Sequence, residues 1–178
     1  MWENDVQLKD GTKVRLRPEV KADLEMLWKM YSTLGEGSRR FLPDYDRELI
    51  EGWIEKLDYE KVLPIVAVVQ GPSGEQRIIA AATLGPFSRR EMVRHKAEFG
   101  ITVHDDYQNK GLGTILTQHM VEIARMKDLK KVSLMVFTNN ERAIHVYKKC
   151  GFKIEGKLEK EHYKNGEYGA DYRMAIFL

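Results

Sequence analysis

Apolar residues along this chain recur with two periods, and the points where one gives way to the other outline its elements. Lys13 to Arg17 alternates as a first strand and is closed by Pro18. Leu24, Leu27, Trp28, Tyr31 and Leu34 repeat at helical spacing until Gly35-Glu36-Gly37. Ser38 to Asp46 reads as a loop, and Asp46 offers an N-cap to a second helix bearing Leu49, Ile50, Trp53, Ile54 and Leu57. Ile65 to Gln70 and Arg77 to Leu84 flank Gly71-Pro72-Ser73-Gly74, which predicts an antiparallel hairpin. The apolar strand Ala97 to Val103 follows. The next helix has the clearest stripe in the chain: Leu112, Ile115, Leu116, His119, Met120 and Ile123. Val132 to Phe137 is a short β run, and a helix bearing Tyr147 comes after it. Phe152 to Lys164 and Glu167 to Leu178 flank Asn165-Gly166, a strong short-range signal for a hairpin turn. This order predicts one mixed α/β domain over residues 1–178, with helices covering a twisted sheet.

Composition narrows the function classes. A chain of 178 residues can bury one good core. With 29 basic and 27 acidic residues the net charge is only +2, and no basic stripe points to nucleic acid. One cysteine excludes an internal disulfide framework and suits a reducing compartment. There is no apolar run of about eighteen residues and no basic-then-apolar leader. The expectation is a soluble cytoplasmic protein acting on neither membrane nor nucleic acid.

The chemistry concentrates where the strand ending at Val103 meets Gln108-Asn109-Lys110-Gly111-Leu112-Gly113-Thr114 and a helix begins. A glycine-rich turn into a helix frees several backbone N–H groups at one point, and the helix dipole adds partial positive charge. Such a place suits a phosphate or pyrophosphate. Lys110 adds a cation, and the glycines admit a ligand close to the backbone. The Walker pattern is excluded because the lysine precedes the glycine, and the dinucleotide fingerprint because Leu116 stands where a third glycine is needed. Taken alone, the loop also fits a glycine-capped helix with no ligand.

A second segment changes that balance. Asn139-Asn140-Glu141-Arg142-Ala143-Ile144-His145-Val146-Tyr147-Lys148-Lys149-Cys150-Gly151-Phe152 reads as a helix capped by Asn140 and stopped by Gly151. The pair Q-x-x-G-x-G and N-x-x-A-x-x-x-Y-x-x-x-G-F, in this order and with a helix and a strand between, resembles the GCN5-related N-acetyltransferases (GNAT). The resemblance is close from about residue 62 onward and looser before. It implies a mostly antiparallel sheet with a parallel central strand pair and helices on both faces. It also implies that acetyl-CoA is the co-substrate, with no metal. The pyrophosphate would sit on the N–H groups from Gln108 to Thr114, through Asn109, Lys110, Gly111, Leu112 and Gly113. The pantetheine arm would lie along Ile101, Thr102 and Val103 where the two parallel strands part, with Gly100 as a bulge at that point and Asn140 touching the arm.

Acyl transfer to an amine sets further demands. At a lysine-like pKa near 10.4, roughly one amine in 2,500 is free base at pH 7. Glu98 is the candidate proton acceptor: alternation sends Phe99, Ile101 and Val103 to the core and leaves Glu98 with Thr102 on the other face. An ordinary solvated glutamate fits the same pattern. The departing thiolate needs a proton, and the resemblance puts Tyr147 beside that sulfur; periodicity alone reads Tyr147 as a core aromatic. His104-Asp105-Asp106 reads as a solvated turn rather than a metal cluster. Cys150 sits where a helix C-terminus raises thiol pKa, and His119 lies on an apolar stripe as a hydrogen-bonded core residue. Neither His145 nor His162 has a partner that the sequence identifies.

The acceptor is less legible. Glu36, Asp44, Asp46, Glu159, Glu161 and Asp171 are acids in the regions expected to form its groove. Asp10 to Pro18 together with Ser38-Arg39-Arg40-Phe41 resembles the start of protein-lysine acetyltransferase domains, so a protein amine is the first reading. The end of the chain is also similar to spermidine and ribosomal-protein acetyltransferases, so a polyamine or other small amine is the second. A non-catalytic acetyl-CoA sensor is the alternative of another class, and a homodimer is left open.

Overall fold

The computed structural model describes residues 2–86 and 91–178. Its strands are β1 (Asn4–Gln7), β2 (Lys13–Pro18), β3 (Leu63–Gln70), β4 (Gln76–Pro86), β5 (Lys96–Val103), β6 (Lys131–Phe137), β7 (Lys153–Lys164) and β8 (Glu167–Phe177). They form one sheet in the order β1-β2-β3-β4-β5-β6-β8-β7, antiparallel throughout except for the central β5–β6 pair. The helices are α1 (Leu24–Ser32), α2 (Glu36–Arg39), α3 (Arg47–Glu55), α4 (Leu112–Met126) and α5 (Glu141–Lys149).

Strand alternation divides the core in two. Ile65, Ala67, Ala82, Phe99 and Val132 face the side packed by Leu116 and Met120 of α4 and Ile144 of α5. Val66, Val68, Ile78 and Ala81 face the side packed by Leu27 and Met30 of α1 and by Ile50 and Ile54 of α3. Helices therefore cover both faces, as the patterning predicts. Asp46 caps α3 by accepting from Leu49 N at 2.8 Å. Asn165 and Gly166 both adopt positive φ, at 53° and 85°, which a two-residue turn of the mirror-image type requires.

Several details depart from the sequence expectations. β1 precedes the strand expected first, and α2 occupies the start of the segment read as a loop. Gly100 is no bulge: it stays in register opposite Thr83, and the register shifts fall instead between Ala67 and Val68 of β3 and, in β7, between Ile154 and Gly156 and between Leu158 and His162. Thr102 is buried because α1 lies over it, whereas Glu98 on the same face is exposed.

The feature that positions the site is the β5–β6 seam. Only Lys96↔Lys131, Ala97↔Val132 and Glu98↔Ser133 pair. Beyond them β5 remains bonded to β4 as far as Val103, and β6 to β8 as far as Phe137. The two strands part into a V whose inner edges have no ladder partner. Among the described residues no helix is long and apolar enough to cross a membrane.

Candidate active site

The open end of the V meets the start of α4. Asn109 and Gly111 adopt left-handed φ of 61° and 91°, so successive amides turn toward one point. The N–H groups of residues 109 to 114 have no acceptor among the described residues. That is an anion cradle of backbone donors at a helix N-terminus. Gln108 stands outside it: its N–H donates to Asp105 O at 3.2 Å. Its side chain braces the turn, with Nε2 donating to Val103 O and to Ser38 Oγ, both at 2.9 Å, while its carbonyl accepts from Arg142. Gly113 leaves the approach open, since a Cβ there would meet only Val103 Cγ2, at 4.0 Å.

Lys110, the cation expected at this cradle, is already engaged. Lys110 Nζ pairs with Asp10 Oδ2 at 3.0 Å and lies over the Tyr107 ring. Hydrogen bonds from Thr12 and Lys110 hold the Asp10 carboxyl down at about 2. Lys9, in the β1–β2 turn, instead donates its N–H to Lys110 O and lays its stem beside Gly111, with Cγ 3.6 Å from where a Cβ would stand. No ion pair involves Lys9 among the described residues, and it lines the cleft. Nothing in the sequence marks this contact, because only the fold brings residue 9 to residue 111.

From the cradle a cleft of about 1230 Å3 runs down the V and onto the α1–α3 face. Ile101, Thr102, Val103 and Asn140 line it; Asn140 caps α5 by accepting from Ala143 N at 3.3 Å. Tyr147 also lines it, in edge contact with Phe99 and against Phe152. Burial pushes the Tyr147 phenol well above its ordinary value near 10, so it remains protonated. Its hydroxyl has no hydrogen-bond partner among the described residues, although the side chain is only 8% exposed. Glu98 lies at the vertex, in register with Gly85 and with Ser133, whose buried hydroxyl is also unpartnered. The geometry thus brings the expected residues of β5, the α4 turn and α5 into one cleft.

Other expectations fare differently. His104-Asp105-Asp106 is not a solvated turn. His104 is buried, 3.1 Å from Thr33 Oγ1 and 3.0 Å from Arg77 Nη2. Asp105 accepts from Gly35 N and Ser38 Oγ, docking α2 onto the end of β5. Burial raises the Cys150 thiol. His119 is half-buried and bonds Trp2 O at 3.1 Å. His162 does have a partner, Asp171 Oδ1 at 2.7 Å, and stacks on Phe137. Lys164 donates to the carbonyls of Arg39 and Leu42, tying the β7–β8 hairpin to α2 and the α2–α3 loop.

Comparison with known proteins agrees with this geometry. A family model described as the acetyltransferase (GNAT) family matches residues 24–152. The spermidine N(1)-acetyltransferase of Escherichia coli K12 is 41% identical over 86 residues, 48% of this chain and 46% of that protein. The L-amino acid N-acetyltransferase AaaT of the same organism is 34% identical over 125 residues, 69% of this chain and 74% of that one. The chain spans about half the length of the spermidine-named relatives it matches. A solved structure of spermidine N-acetyltransferase from Vibrio cholerae, in complex with CoA and spermine, shares the fold. Its TM-score is 0.75 at 22% identity, over 92% of this chain and 95% of that one.

Proposed function

The chain belongs to the GNAT family of acetyltransferases, and from that premise we propose that it transfers the acetyl group of acetyl-CoA to a primary amine by direct attack in a ternary complex. The observation that carries this reading is an unspent strand edge leading from free backbone amides to an unpartnered tyrosine hydroxyl.

In this reading the amides of residues 109 to 114 hold the pyrophosphate, and Lys9 adds the cation. The free edge of Ile101 to Val103 takes the pantetheine arm as an added strand. The neutral amine attacks the thioester carbonyl, the C–S bond breaks, and Tyr147 donates a hydrogen bond and then its proton to the departing sulfur. Glu98 takes the amine's proton through a water, since a carboxylate is a poor direct base for an alkylamine.

A small alkylamine is the acceptor that the relatives favour, because those matched are named for spermidine and for L-amino acids. A protein amine is the second reading, carried by the Asp10–Pro18 and Ser38–Phe41 segments. The sensor alternative leaves the cleft-facing hydroxyl of Tyr147 without a use.

Incubation with labelled acetyl-CoA and separate pools of polyamines, amino acids and peptides tests the proposal. Label is expected in the polyamine or amino-acid pool. Label in none, with CoA still bound, would make the protein a sensor.

A further inference from the structure

Glu19 follows the last residue of β2, is 7% exposed, and has no part in the scheme above. Its backbone is satisfied: the N–H donates to Pro64 O at 3.0 Å, and the C=O accepts from Tyr59 Oη at 2.5 Å. Its carboxylate has no hydrogen-bond or ion-pair partner among the described residues. The adjacent cation, Arg17, spends both terminal nitrogens on Asp23, each at 2.7 Å. An unpaired carboxylate so enclosed opposes folding, and the little surface it retains opens into the cleft. Burial first, and then the neighbouring Asp23, raise its pKa to about 7, and the charge of Arg17 offsets only part of that rise.

The cleft has an aromatic wall on its α1–α3 side, and Tyr31 in that wall lies close enough to Glu19 to feel its charge. Tyr31, Tyr45 and Trp53 line it in mutual edge contact, with centroid separations of 4.6 Å for Tyr31–Tyr45, 5.4 Å for Tyr45–Trp53 and 6.2 Å for Tyr31–Trp53. Aromatic rings beside an unpaired acid attract an organic cation, by ring quadrupole and by charge.

Sheet register gives the span. Glu19 bonds Pro64 on β3, Pro64 pairs Thr83 on β4, and Gly85 two residues on pairs Glu98 on β5. Three strand spacings and a two-residue step along β4 separate Glu19 from Glu98, roughly 16 Å between backbones on one face of the sheet. An alkyl chain with amines at both ends bridges such a distance; a monoamine does not.

We propose that Glu19, with Tyr31, Tyr45 and Trp53, forms a subsite for a second ammonium group of the acceptor, which makes the substrate an alkyl di- or polyamine. The word acceptor rests on the acetyl-transfer reading, whereas the binding site itself does not.

Calorimetric titration of spermidine, and separately of n-butylamine, into CoA-saturated protein tests it. Wild type is expected to bind spermidine at least tenfold more tightly than butylamine. Glu19→Gln should abolish that preference, leave butylamine and CoA binding unchanged, and melt no lower than wild type. Retained preference in Glu19→Gln, or none in wild type, would overturn the subsite. So would a lower melting temperature, which would mark the carboxylate as a structural partner. A preference weakened severalfold in Trp53→Leu supports the aromatic wall. Acetyl transfer to spermidine is followed in parallel. Spermidine that binds through Glu19 but is never acetylated would sink the catalytic reading and leave the subsite intact.

Discussion

Replacing Tyr147 by Phe removes one oxygen from a site where the structure gives that oxygen no partner, so its effects on folding, binding and turnover separate cleanly. No hydrogen bond to the described residues is lost, and the ring contacts with Phe99 and Phe152 persist. Removing a hydroxyl that opens into the cleft should leave stability within about 1 kcal/mol of wild type. CoA affinity should hardly change, because the backbone amides of residues 109 to 114 and the β5 edge are untouched. Only the departure of the thiolate suffers. Positioned acid catalysis contributes roughly 10² to 10⁴ in rate, equivalent to about 3 to 5 kcal/mol of barrier. Since burial raises the phenol's pKa, its ionisation adds no alkaline limb near neutrality, and the Phe variant should keep the wild-type profile at lower height. The sign for folding follows: the phenol is held neutral in the native state, so wild-type stability falls as pH rises past the unfolded value near 10. The assay pairs steady-state turnover with equilibrium binding of CoA. Equal losses in both would show that the hydroxyl holds the ligand, and the acid role would be wrong.

Glu98→Gln should flatten the acid limb of the kcat/KM–pH profile; an unchanged limb eliminates Glu98 as the proton acceptor. Lys9→Met keeps the stem and removes the charge, so CoA should bind about fivefold more weakly, near 1 kcal/mol, with a shallower salt dependence. Identical affinity at low salt would remove Lys9 from the cradle. Glu19 makes a stability prediction through its raised pKa. The native state holds this proton from the unfolded value of 4.5 up to about 7, so stability present below pH 4.5 is lost as pH rises through 7. The loss is on the order of 3 kcal/mol. Glu19→Gln should escape it, and urea midpoints for the two proteins that run parallel across that window would contradict the burial argument.

The two motif segments were legible because their physics is local. A glycine-rich turn, an Asn cap and a helical stripe are set within a few residues of each other, and Gly111 and Asn140 were readable on that ground, whereas Tyr147 read locally as a core aromatic and gained its role only from the family resemblance. β1 was not, since Asn4-Asp5-Val6-Gln7 carries a single apolar residue and exists as a strand only through pairing with β2. The one-turn helix at Glu36–Arg39 is held by Asp105, about seventy residues away. Lys9 and Glu19 were invisible for a related reason: a charge beside a turn or a proline looks merely solvated until the fold brings residue 9 to residue 111 and encloses residue 19. The Gly100 expectation failed because the parting of β5 from β6 needs no bulge; β5 simply continues along β4 while β6 follows β8.

That short seam has a mechanical consequence. The portion carrying α5 and the β6–β8–β7 group joins the rest of the sheet through three rungs, so the parallel junction is the shortest ladder in the sheet. A pantetheine arm lying in the gap would contribute hydrogen bonds that the polypeptide withholds from itself. The co-substrate would then act as a keystone, and amides flanking the seam should exchange with solvent far more slowly once it is in place.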